Sequence, residues 1–112
     1  MKIPESIRIG GVEYKITFEK NCRFDNKIAY GVIDYDNAVI TLSENDGVDH
    51  QHRCITLWHE ILHGIREHAN FAIEDEENVV EILSRGIYQV LQDNGRRLFD
   101  IVDDEKEGGT HG

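Results

Sequence analysis

Apolar and polar residues alternate along Val12-Glu13-Tyr14-Lys15-Ile16-Thr17-Phe18-Glu19, the period of a half-buried antiparallel strand. Ser6-Ile7-Arg8-Ile9 precedes it across the turn pair Gly10-Gly11 and reads as its neighbour. Residues 21–27 are polar and irregular, and a loop is predicted there. Apolar residues return in Ile28-Ala29-Tyr30-Gly31-Val32-Ile33-Asp34-Tyr35, and again in Ala38-Val39-Ile40-Thr41-Leu42-Ser43 after an Asp36-Asn37 turn. This second pair is predicted to be a hairpin.

The period then changes from two to helical. Asp46 or Asp49 can cap a helix that runs to about His68. Cys54, Leu57, Trp58, Ile61, Leu62 and Ile65 share one broad arc of it. His59 and His63 lie on the opposite arc, with Thr56 and Glu60 beside them. Residues 70–74 break the pattern. A second helix, from about Asp75 to Asn94, is predicted to bury Val79, Val80, Leu83, Ile87, Val90 and Leu91. Asn94-Gly95 ends it, because glycine tolerates the left-handed turn after a helix. The expected fold class is therefore α+β: a small antiparallel or mixed N-terminal sheet, then two helices.

The length of 112 residues allows one domain, placed at 1–102. Residues 103–112 are acidic and then glycine-rich, without an apolar period, and read as a flexible tail. The formal net charge is −10, from 22 acidic and 12 basic residues. Such a surface repels a phosphate backbone, so no nucleic-acid partner is expected. No apolar run approaches membrane-spanning length, and no membrane partner is expected either. Cys22 and Cys54 are far apart, and Met1-Lys2-Ile3-Pro4 does not open a secretory signal, so a reduced, cytoplasmic protein is expected.

The candidate chemistry lies on the first helix. His59-Glu60-Ile61-Leu62-His63 is an HExxH motif. Residues four apart on a helix are neighbours, so both imidazoles can reach one zinc ion. Glu60, one residue on, is angled away from ligation but near enough to take a proton from a zinc-bound water, whose pKa the ion brings to roughly 7. In so short a domain the bound metal would also stabilise the fold.

Two histidines leave a catalytic zinc short of a third protein ligand. His68 is nearest, but the extended pattern HExxHxxGxxH fails: Arg66 stands at its Gly and Ala69 at its last His. Glu76, Glu77 and Glu81 at the start of the second helix are better placed. Acids also favour helix N-termini through the dipole, and periodicity alone does not choose among the three.

The strands, then Thr56-Leu57-Trp58-His59-Glu60-Ile61-Leu62-His63-Gly64, then Glu77-x-x-Val80-x-x-Leu83-Ser84, resemble small phage and prophage zincins of the ImmA/IrrE metallopeptidase type. In that family a glutamate opening the next helix follows HExxH, in a pattern like E-x-x-A-x-x-F-A. The resemblance thus implies a minimal zincin-like fold with Glu77 as the third metal residue. Residues 28–94 carry it, and HExxH is its one specific motif.

The leading expectation is a zinc-dependent hydrolase of peptide bonds, with a peptide or protein substrate and Glu60 as the catalytic residue. The alternative is a catalytically inactive, zinc-stabilised phage or prophage module that binds another protein. Residues 38–43 are expected to form the strand beside the cleft. His52 shares the arc of His59 and His63 but reads as exposed. Tyr88 lies on the Glu77 side of its helix and is expected to pack rather than to donate to an oxyanion. The sequence sets neither the substrate nor the oligomeric state.

Overall fold

The computed structural model describes residues 2–98, so the predicted tail at 103–112, and the last residues of the domain placed at 1–102, lie outside the described residues. Strands β1 (Ser6–Ile9) and β2 (Val12–Glu19) form the expected antiparallel pair. Gly10 and Gly11 join them at φ +58° and +81°, a backbone open to glycine at no steric cost.

The segment read as a loop holds a small hairpin of its own. β3 (Arg23–Phe24) pairs with β4 (Lys27–Ile28) across Asp25 and Asn26, both at positive φ. Two central residues at positive φ make the tight hairpin turn that Asp and Asn tolerate best after glycine. Ile28 therefore belongs to β4, and the next strand, β5 (Gly31–Asp34), starts later than predicted.

β5 turns back into β6 (Val39–Ser43), and Asp34 holds the turn by accepting from the Asn37 backbone at 3.1 Å and its side chain at 2.8 Å. The sheet order is β1-β2-β6-β5, with β2 and β6 parallel and the outer pairs antiparallel. A mixed sheet results, and β5 is its edge on the side of the helices' polar faces. β6 lies between β2 and β5, so the expectation that 38–43 borders the cleft is corrected: both its ladders are already paired.

Helix α1 (His50–His68) is capped by Asp49, whose side chain accepts from the His52 backbone at 2.8 Å. Its Leu57 and Ile61 enter a core with Ile9, Tyr14, Ile16, Ile40 and Leu42. The buried arc is not quite the predicted one. Thr56, Glu60 and Gly64 are buried too, while Ile65 is half exposed. The cause is a close approach: a Cβ at Gly64 would come within 3.1 Å of the Ile9 and Ile33 side chains. At Gly31 a Cβ would lie 2.5 Å from Thr56 and 3.2 Å from a Glu60 oxygen. These two glycines let the helix settle onto β5, which rotates Glu60 inward.

Helix α2 (Glu76–Asn94) packs against α1 alone among the described elements. Its buried line is Val80, Ser84 and Tyr88, one residue per turn. Leu83 and Val90, predicted as core, are half exposed because no described element other than α1 packs on α2. Tyr88 packs, as expected. No described helix is long and apolar enough to cross a membrane.

Candidate metal centre

α1 and α2 are antiparallel neighbours, so the first turns of α2 face the HExxH turns of α1. His59 and His63 are four residues apart, and their Nε2 atoms come within 3.1 Å of each other. Glu77 reaches both, with Oε1 at 2.8 Å from His59 Nε2 and Oε2 at 3.0 Å from His63 Nε2. Nitrogens of two imidazoles and a carboxylate thus converge on one point, a group that could hold a metal ion.

The outer ring nitrogens are also engaged. His63 Nδ1 donates to Glu76 Oε2 at 2.6 Å, and His59 Nδ1 lies 3.0 Å from Glu81 Oε2. Arg66 holds Glu76 by an ion pair at 2.8 Å, and Arg85 holds Glu81 at 2.8 Å. A carboxylate only accepts, so a neutral His59 or His63 can direct its one ring proton outward from Nδ1 to Glu81 or Glu76, the tautomer that ligation through Nε2 requires. In a neutral imidazole the Nε2 is then a bare lone pair. Two such lone pairs facing each other and a carboxylate repel, and a divalent cation among them converts that repulsion into ligation. The donor set therefore fits a metal ion on chemistry as well as on distance.

The three glutamates left open by periodicity have separate places. Glu77 faces both Nε2 atoms, whereas Glu76 and Glu81 each orient one ring from behind. His63, and then Arg66, hold the Glu76 carboxyl below its usual range. For Glu81, burial pushes the pKa up, but Arg85 and then His59 outweigh it and hold it low. Both stay anionic at neutral pH and keep the ring protons where ligation needs them. His68 is elsewhere, with Nε2 2.7 Å from the Tyr14 hydroxyl.

Glu60 is 6% exposed, on the face of α1 turned to β5. Burial pushes its carboxyl up to about 7; His59 and His63 pull it down and Glu77 pushes it further up. The folded protein therefore holds this proton at pH values where the unfolded chain, with an ordinary value near 4.5, has lost it. Native protein binds the extra proton between these limits, so without metal its stability falls as pH rises from 4.5 to 7. The loss expected is on the order of 3 kcal/mol. Urea unfolding of chelator-treated protein at both ends of this range measures it, and Glu60→Gln should flatten the slope. Equal slopes in the two proteins would contradict the buried, protonated carboxyl.

Above the cluster lies a cleft of about 620 Å³ between β5 and the two helices. His59, Glu60, His63, Glu77 and Glu81 line it, with Gly31 and Tyr35 from the strand side. His52, read as exposed, lines it as well, its ring 4.3 Å from that of Tyr30. The helical arc shared with His59 was the available signal. Tyr30, Phe24 and Arg85 also line the cleft and carried none, since their position depends on the β3–β4 hairpin and on the tilt of α2.

No family model, no curated protein and no solved structure matches the chain.

Proposed function

We propose that the protein is a zinc-dependent metallopeptidase with a zincin-like site, of the kind the ImmA/IrrE resemblance implies. One observation carries the reading: a buried carboxyl, Glu60, sits beside a convergent His59–His63–Glu77 donor group on the floor of a cleft. When bound there, zinc supplies a Lewis acid that polarises a carbonyl and acidifies water. His59, His63 and Glu77 hold the ion, and Glu76 and Glu81 fix the two rings.

Glu60 moves the proton. Buried beside the three donor groups, it can accept one from the attacking water and return it to the amine nitrogen as the C–N bond breaks. Water oxygen ends on the carbonyl carbon, and the carboxylate is regenerated. An extended peptide has a natural seat on β5, the outermost strand on the cleft side, where backbone pairing gives affinity without side-chain demands. Cys22 and Cys54 are buried and form no disulfide, which suits a reducing compartment, and we place the protein in the cytoplasm.

A catalytically inactive, zinc-stabilised binding module is the second reading. The half-exposed apolar residues Leu83 and Val90 on α2 favour it. Incubation with a mixed peptide library, read by mass spectrometry, separates the two. Cleavage that a chelator stops and added zinc restores is expected; a library left intact by zinc-loaded protein would favour the module.

A further inference from the structure

The cleft extends well past the metal cluster, toward the N-terminal end of α1. Ile55 lies four residues before His59 on the same helix, roughly 6 Å along its axis. Two aromatic rings that the protein's own core does not cover share the cleft with it. Phe24 is 61% exposed and Tyr30 57% exposed, and both line the cleft. Tyr30 packs against the His52 ring at 4.3 Å, and both line the cleft. Exposed aromatic surface gathered in the cleft, with Tyr30 against His52 about two helical turns before His59, is surface awaiting a partner.

The direction of a bound peptide follows from the strand. Gly31 meets Thr56 and Glu60, while Ile33 meets Gly64 further along, so β5 and α1 run the same way. A peptide pairing antiparallel to β5, the better-bonded arrangement, then runs opposite to α1. Its residue on the carboxyl side of the bond over Glu60 reaches toward Gly31, Ile55 and Tyr30.

We propose that Phe24, Tyr30 and Ile55 form a specificity wall that selects a large apolar side chain on the carboxyl side of the cleaved bond. The inference rests on the metallopeptidase reading. Arg85 also lines the cleft and would instead attract an acidic side chain, but Glu81 already neutralises it at 2.8 Å. The apolar rings therefore set the preference.

Hydroxamate probes test the wall separately from the chemistry. Zinc-loaded protein is titrated calorimetrically with acetohydroxamate, which has no side chain, and with succinyl-type hydroxamates, in which the hydroxamate precedes the peptide so that a benzyl, methyl or carboxymethyl side chain falls on its carboxyl side. The benzyl compound is expected to bind at least about tenfold more tightly than the methyl one. That ratio should collapse toward unity in Phe24→Ala/Tyr30→Ala. It should survive in Ile28→Ala, which removes an equally exposed residue of the same hairpin outside the cleft. Equal binding of benzyl and methyl compounds, or a ratio that persists in the double variant, would overturn the wall. Tightest binding of the carboxymethyl compound would overturn it in favour of Arg85. Failure of acetohydroxamate itself to bind would remove the metallopeptidase reading, and the wall with it.

Discussion

Glu60→Gln is expected to lower peptide hydrolysis by about a hundred- to ten-thousand-fold while leaving the zinc content unchanged. Glu60 stands outside the three-donor group, so its loss removes no ligand. Glutamine matches the shape that the slot beside Gly31 and Thr56 accepts, and it takes no desolvated charge into that slot. What it cannot do is accept the proton of the attacking water. Turnover of a peptide identified in the library screen, measured beside elemental analysis of the same sample, gives both quantities. Equal turnover in the two proteins would show that Glu60 is not the base. A parallel loss of zinc would show that Glu60 supports the cluster rather than the reaction.

The second large effect concerns Glu77. Its two carboxylate oxygens face both Nε2 atoms, so Glu77→Ala is expected to cost more zinc affinity than either neighbouring change. Glu76→Ala and Glu81→Ala remove only the carboxylates behind the rings and are expected to cost roughly 10- to 100-fold each. Competition with a chromogenic chelator ranks all three. Damage confined to Glu76→Ala would mean that the next-helix glutamate has been aligned one residue too late. Equal, small effects for all three would place the third ligand outside α2.

Much of this arrangement was legible in the chain. The strand alternation at 12–19, the Asp49 cap and the Gly95 stop are local signals, and each local choice agrees with the structure. Spacing alone also put His59 and His63 on one face. What spacing could not show was the depth of Glu60, because that depends on two glycines in different elements, Gly31 and Gly64, that let α1 sink onto the sheet. Nor could it separate Glu76, Glu77 and Glu81. Their roles are set by the antiparallel docking of α2 on α1, a tertiary contact without a period of its own. The misread face of α2 has the same origin: an apolar stripe predicts burial only where another layer exists to cover it. The β3–β4 hairpin was missed because Asp25-Asn26 lacks the glycine that marks most such turns.

The most direct test of the centre is a count of metal. Purified protein dialysed against zinc, then freed of excess, is expected to carry about one zinc per chain by elemental analysis, since two imidazoles and one carboxylate converge on a single point. Binding should weaken on acidification, because a protonated imidazole cannot ligate. Folded protein, confirmed by circular dichroism, with a zinc content near zero would contradict the metal centre and every step assigned to it.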